Sequence, residues 1–312
     1  MQNETGCIYK TIRFRRIVSG GGRSRLYVHH KYFRMKIDLP ENIRLTNPER
    51  YILTIGIGSG RFSFFLYNPV EDGSFFYFPG EKFEKEEAFS QFKECFYEND
   101  FFGLPFRKIY LMNYSRSYTY VPSLIYEKDS KNDFRDFLFS EKESNRKIIL
   151  EQPLAISQLV ILHSLEEALY DFFQRSFIQP KFVHYSSPFI SYFQTRSKIN
   201  PRHQLIVNFT AEGIDLFCFR QGNFILGNHF ACPQSEDAIY YILFTWKQLQ
   251  LDQMKDFIYI SGNTETKKQA IEKLKTYIHN IIPVNITPEA HFEGIRTNNV
   301  PFEILASTLC EL

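Results

Sequence analysis

The sequence predicts an α/β protein in which one unit, a three-strand meander followed by a helix and a crossover strand, is used twice. Three observations predict it. The stretch Leu53 to Tyr67 (LTIGIGSGRFSFFLY) lies over Leu205 to Phe219 (LIVNFTAEGIDLFCF) without a gap, at a constant offset of 152 (205 minus 53). Phe89, Phe92 and Phe96 match Ile239, Ile242 and Trp246 at an offset of 150 (239 minus 89), the i, i+3, i+7 spacing that lines one side of a helix. Lys108 to Met112 matches Asp256 to Ile260 at an offset of 148 (256 minus 108), and insertions in turns account for the drift.

Taken in order, each copy opens on an apolar strand, Tyr51 to Ile57 in the first. It then turns through small residues (Gly58-Ser59-Gly60; Thr210-Ala211-Glu212-Gly213) into an alternating strand. A second turn (Asp72-Gly73; Gln221-Gly222) leads to a third, short strand. The helix lays its apolar stripe on the sheet and the crossover strand closes the unit. Between the copies, Val121-Pro122 ends a strand. Lys131 to Glu141 has the pattern of a short amphipathic helix and Gln158 to Leu162 that of a buried strand. Leu165 to Phe177 reads as a helix with Leu165, Leu169, Phe172 and Phe173 on one side, and Lys181 to Tyr185 as another strand. This alternation is expected to complete a mixed sheet for the first lobe. Pro180, Pro188 and Pro201 place the lobe boundary near 196–202, which gives a basic arm over 1–36, a first lobe over 37–199 and a second over 200–312. The last segment, Pro301 to Leu312, has proline at a first helical position and Phe302, Leu305 and Leu309 on one face, the pattern of a docked terminal helix.

Composition narrows the class. The chain has 312 residues, 44% of them apolar, with 33 Phe and 19 Tyr, enough to fill two cores. No run approaches the roughly 20 apolar residues of a membrane span, so no membrane insertion and a cytoplasmic location are expected. Five cysteines (Cys7, Cys95, Cys218, Cys232, Cys310) are widely spaced and never form a C-x-x-C pair, so they read as small core residues and not as a disulfide framework or zinc site. The eight histidines show no metal spacing apart from the adjacent His29 and His30, and they read as surface or hydrogen-bonded residues. Residues 1–36 carry nine basic side chains against Glu4, a net of +8, which leaves −6 for the rest of a chain of net +2 (2 minus 8). Three readings of that arm stay open: a nucleic-acid tail, a transit-like peptide, or sequence upstream of a true start at Met35. The last is preferred, because Met35-Lys-Ile-Asp-Leu-Pro40 opens ordinary globular sequence.

A strand-strand-strand-helix-strand unit used twice resembles the actin-like ATPase superfamily, whose two lobes are ribonuclease-H-like mixed sheets flanked by helices. In that superfamily the first turn of each copy is a phosphate loop, Asp-x-Gly-Gly/Ser/Thr, and a late glycine turn contacts the adenosine. Here the first copy reads Gly56-Ile57-Gly58-Ser59-Gly60, with Gly56 where the magnesium-facing Asp belongs. The second reads Asn208-Phe209-Thr210 with Asp215 further on, Asn standing for Asp, and the adenosine-side turn Ser261-Gly262-Asn263-Thr264 keeps one glycine. The resemblance implies a degenerate nucleotide cleft made of Gly56, Gly58, Ser59, Gly60, Asn208, Thr210, Asp215, Gly262 and Asn263. Four short strings, Tyr120 to Leu124, Asn228 to Phe230, Glu236 to Ile242 and Ile260 to Gly262, are similar to a bacterial branch of the superfamily, domain-of-unknown-function family 3822.

The chemistry of those loops points away from catalysis. Phosphoryl transfer needs magnesium held by carboxylates and phosphates reached through glycine amides. Asn208 is neutral, Gly56 has no side chain, and Glu212 would set a negative charge against a polyphosphate. Ribonuclease-H-like nucleases need clustered acids for two metals, whereas strand 51–57 has none and Glu212 and Asp215 read as isolated acids. Gly56-x-Gly58-x-Gly60 lacks the last glycine of a dinucleotide fingerprint, and no Gly-x-Ser-x-Gly elbow is present. No cofactor is therefore expected, with ATP and magnesium as the candidates to test. The preferred function is a non-enzymatic actin-like module that binds a protein partner. The alternatives are a nucleotide-binding switch or weak ATPase, and, with less support, a nucleic-acid-associated protein acting through the basic arm.

Overall fold

A computed structural model describes residues 7–10, 34–58, 60–71, 74–80, 88–127, 130–139, 146–262, 264–284, 286 and 300–310. Two five-stranded sheets dominate it. In the first half, β1 (Cys7–Lys10) pairs antiparallel with β2 (Arg34–Ile37). The unit β3 (Ile52–Gly58), β4 (Arg61–Tyr67), β5 (Phe75–Phe78), α1 (Ala88–Glu98) and β6 (Lys108–Asn113) follows. Then come β7 (Tyr118–Pro122), the four-residue α2 (Arg135–Leu138), β8 (Lys147–Leu154), β9 (Leu159–Glu166), α3 (Glu167–Ser176), β10 (Lys181–His184) and α4 (Ser186–Ser197). The second half holds β11 (Gln204–Phe209), β12 (Gly213–Arg220), β13 (Asn223–Ala231), α5 (Ser235–Gln248), β14 (Phe257–Gly262), α6 (Glu265–Leu274), β15 (Asn280–Pro283) and α7 (Phe302–Leu309).

The duplication is plain in the strand orders, β5-β4-β3-β6-β10 and β13-β12-β11-β14-β15. In both sheets the first three strands pair antiparallel, and the crossover strand pairs parallel with the first. Ile55 and Val207, at equivalent places in the central strands, are both fully buried. The crossover register differs by one residue from the sequence alignment: Ile52 faces Lys108 and Gln204 faces Phe257, an offset of 149 (257 minus 108).

Alternation along the central strands separates the packing layers. Leu53, Ile55, Phe62, Phe64 and Leu66 face outward onto Phe92 of α1 and Leu169 and Phe173 of α3. Leu205, Val207, Leu216 and Cys218 do the same toward Ala238, Ile242 and Trp246 of α5 and Ala270 and Leu274 of α6. Between the sheets lies a third core, filled by α4 and α7. Phe302 of α7 sits against Phe189, Tyr192 and Phe193 of α4, with ring centroids 4.6, 5.3 and 5.6 Å away. Phe189 stacks on Phe217 of the second sheet at 5.2 Å. The far end of α7, Ser307 to Cys310, lies beside Ile52, Thr54, Tyr67 and Tyr110 of the first sheet. Each half of the chain thus lends a helix to the core between the sheets.

Several local expectations shift. The Gln158–Leu162 strand is β9, starting after Gln158, whose φ of 51° belongs to the turn. Leu165 belongs to that strand, and the helix begins at Glu167. The segment expected as one helix from Lys131 is a 3-10 turn over Ser130–Phe134 followed by α2. Only β10 joins the first sheet; β7, β9 and β8 form their own antiparallel sheet over a small core of Val121, Leu138, Ile149, Val160 and Leu162. Pro301 caps α7 instead of opening it, and Glu303, not Leu309, takes a buried place. Cys95, Cys218 and Cys232 are buried thiols. His163 and His184 are fully buried and hydrogen-bonded.

Candidate functional site

The strand ends that carry the two predicted loops open on one cavity of about 620 Å³ between the lobes. Gly56, Gly58, Asn208, Thr210 and Gly262 line it. Asp215 lies behind the wall, fully buried. Gly60, at φ 67°, completes the tight β3–β4 turn, while Ser59 and Asn263 lie outside the described residues.

The first-loop glycines have a packing reason. Tyr114, directly after β6, crosses β3 so closely that a Cβ on Gly58 would fall 2.5 Å from Tyr114 Cβ. A Cβ on Gly56 would fall 3.1 Å from the same ring and 2.7 Å from Ser63 Oγ. No side chain fits there without displacing the ring. The ring stacks on Tyr185 with centroids 5.3 Å apart, and its hydroxyl donates to Glu303 Oε1 at 2.9 Å. A phenol therefore lies over the strand face that a phosphate loop would offer to its ligand. The second loop is closed on itself: the Thr210 amide and hydroxyl both donate to Gly213 O, at 2.8 and 3.1 Å. Gly262 has φ 89°, and a Cβ would fall 2.1 Å from Phe209 O, so the close approach to β11 already demands glycine.

Charge gathers on Asp215, which shares the Arg116 guanidinium with Glu212. Its Oδ1 accepts from Tyr185 Oη at 2.7 Å, from His229 Nδ1 at 2.8 Å and from Arg116 Nη1 at 3.1 Å. Its Oδ2 accepts from Asn208 Nδ2 at 3.1 Å, and Asn208 Oδ1 accepts from Ser261 Oγ at 2.9 Å. Arg116 Nε also donates to Glu212 Oε2 at 3.2 Å, and Nη1 to Tyr185 Oη at 2.6 Å. A carboxylate removed from water needs such partners, and here one of them is a full positive charge. Burial works against the Arg116 cation, but Tyr185, Asp215 and Glu212 outweigh it and raise its pKa further. Arg116 and Tyr185 come from the first half of the chain, whereas Asp215, Glu212, Asn208 and His229 come from the second. The network is a bridge across the cleft, and Glu212 is spent on it.

Other groups facing the cavity differ in availability. Glu303 is buried at the start of α7, and burial pushes its carboxyl up to about 7, with the nearby Asp215 charge adding to the rise. Burial and the neighbouring Glu303 together raise the Tyr114 phenol. Lys267 donates to Gly262 O at 2.7 Å, and partial burial lowers its ammonium pKa. Among the described residues no group of His, Cys, Asp and Glu is arranged to hold a metal ion. Behind Arg116, Asn113 Nδ2 approaches His163 Nδ1 at 2.9 Å, and His184 bonds Ser186 Oγ at 2.7 Å and Ser115 O at 3.0 Å. Burial lowers both imidazoles, His163 to about 3.

The family model described as "Protein of unknown function (DUF3822)" matches residues 40–281. The chain belongs to the DUF3822 family. A crystal structure from Bacteroides thetaiotaomicron VPI-5482, of a protein with an actin-like ATPase fold and unknown function, is similar to this DUF3822 protein. It has 25% identity and a TM-score of 0.73, and the match covers 86% of this chain and 99% of that one. The PilM-PilN type IV pilus biogenesis complex contains a chain with 16% identity and a TM-score of 0.50, over 84% of this chain and 97% of that one, a likeness of fold. No curated protein matches the sequence. The DUF3822 protein thus has the actin-like ATPase fold expected from its repeat. Sequence reasoning missed Tyr114, Arg116, Tyr185, His229 and Glu303, the residues that fill and bridge its cleft. They sit outside the loop motifs, and only the conjunction of Arg116 after one crossover strand with acids in the opposite hairpin hints at them.

Proposed function

We propose that this DUF3822 protein is a non-catalytic member of the actin-like fold that acts by binding another protein, its lobes joined by side chains instead of by nucleotide and magnesium. The observation that carries this reading is the Arg116 guanidinium between Glu212 and the buried Asp215. A positive charge there does for the second-lobe acid what a metal–phosphate group would otherwise do, and it does so permanently. Tyr114 over Gly56 and Gly58 supports the same reading from the first lobe.

A second reading, a nucleotide-binding switch, draws on the cavity itself, where Arg61 and Lys267 face open volume from opposite lobes. Among the described residues neither cation has a carboxylate partner. Calorimetry with Mg-ATP and with ADP, beside a turnover assay, separates the two. The non-catalytic reading expects no turnover and no micromolar affinity. Micromolar binding lost in Lys267→Ala supports the switch, and turnover lost with it supports a divergent ATPase.

A further inference from the structure

We infer that the end of the molecule remote from the cleft rests on an anionic lipid surface. Four chain segments meet there: residues 123–125 after β7, the β8–β9 turn, the end of α4 and the Gln221-Gly222 turn. Hydrogen bonds tie them into one platform. Ser123 N donates to Gln158 O at 2.8 Å, and Gly222 N donates to Ser197 Oγ at 3.1 Å. Gln194 of α4 joins the rest, donating through Nε2 to Ile156 O at 2.9 Å and Gly222 O at 3.0 Å and accepting from Ser157 Oγ.

From this platform four aliphatic side chains stand in water: Leu124 is 95% exposed, Ile199 88%, Ile125 69% and Ile156 63%. Scattered exposed apolar residues are ordinary, but four held on one hydrogen-bonded set of turns form a patch. Its rim is basic. Residues 122–127, 154–158, 197–203 and 219–225 carry Lys198, Arg202 and Arg220 against Glu127, a net of +2 (3 minus 1), on a body that carries −6 beyond residue 36. All three cations are exposed.

The shape and residue types favour a bilayer over a protein. Protein interfaces anchor on aromatic and Arg side chains seated in pockets, whereas these are Leu and Ile tips that protrude from turns. A headgroup layer accepts such tips into its acyl boundary while Lys and Arg remain level with the phosphates. The contact is peripheral and needs no span; among the described residues no helix is long and apolar enough to cross a membrane.

Co-sedimentation of the full chain with vesicles tests it, using phosphatidylcholine alone and phosphatidylcholine mixed with phosphatidylglycerol. Binding is expected to the mixed vesicles only, and to weaken as salt rises. The variant Leu124→Asp/Ile199→Asp is expected to bind them roughly tenfold more weakly, and Lys198→Gln/Arg220→Gln to lose a similar factor, with melting temperatures unchanged. Failure to bind either vesicle overturns the inference. So does binding that both variants leave intact, which would move the contact to the basic residues 1–36.

Discussion

The hairpins β3–β4 and β11–β12 have the same backbone and opposite chemistry. Ile52 pairs with Tyr67 and Gln204 with Phe219, so both partners keep the offset of 152 (204 minus 52; 219 minus 67). At one level of the pair the first hairpin sets Gly56 opposite Ser63, and the second sets Asn208 opposite Asp215. The first is uncharged there and roofed by Tyr114; the second buries a carboxylate and reaches across the cleft to Arg116. A duplicated backbone is held by apolar alternation, which survives almost any change on the cleft-facing side. The cleft chemistry is set by a handful of polar positions, and these have been rewritten separately in each half.

Arg116→Ala leaves Asp215 buried without a cation and should cost about 3–5 kcal/mol in denaturant unfolding. Ser63→Ala, at the equivalent position in the other hairpin, should cost only about 1 kcal/mol. Equal costs would mean that the two hairpins are not energetically different. Next in size, Gly58→Ala should destabilise by roughly 1–3 kcal/mol, because its Cβ meets Tyr114. Ala211→Gly, on the exposed second loop, should stay within about 0.5 kcal/mol. If Gly58→Ala is silent, the glycine was not required by packing.

Protonation sharpens the comparison. His163, with its pKa lowered from 6.5 to about 3, is neutral in the fold, and His184 is lowered as well. The unfolded chain binds the extra protons, so the His163 contribution is present above about pH 6.5 and is lost as pH falls toward 3, by up to about 1.4 kcal/mol per pH unit, and the His184 contribution is lost in the same direction. Glu303 runs the other way. Its pKa is raised from 4.5 to about 7, so its contribution is full below pH 4.5 and is lost as pH rises through 7. Unfolding free energies measured from pH 4 to 8 should show Glu303→Gln removing the downward limb between 4.5 and 7 while leaving the histidine limb. The smallest effect is expected on the outer face, where Lys273 pairs with Glu236 between α6 and α5, both side chains more than half exposed. Lys273→Ala should leave the melting temperature within about one degree.

The fold was legible because its signals are periodic and local. The 152-residue offset, the Phe92 and Ile242 helix faces and the Gln221-Gly222 turn, with φ values of 50° and 82°, each follow from a few adjacent residues. Helix α4 was not legible, because Ser186 to Ser197 is buried nearly all round and so carries no amphipathic stripe. The site was half legible. Loop glycines could be read as degenerate phosphate loops, and five of the predicted residues do line one cavity. Tyr114 explains Gly56 and Gly58 only through the pairing of β6 with β3, and Arg116 reaches Asp215 over 99 residues of chain. Contacts of that range leave no spacing in the sequence.

Arg116 and Asp215 join the two lobes through a side-chain ion pair. A double-mutant cycle measures what that pair is worth, with Arg116→Ala, Asp215→Ala and the double variant unfolded in denaturant without nucleotide. A lobe-bridging pair with one buried partner should show a coupling of at least about 1.5 kcal/mol between the two positions. Additive losses, with a coupling within about 0.5 kcal/mol of zero, would contradict it.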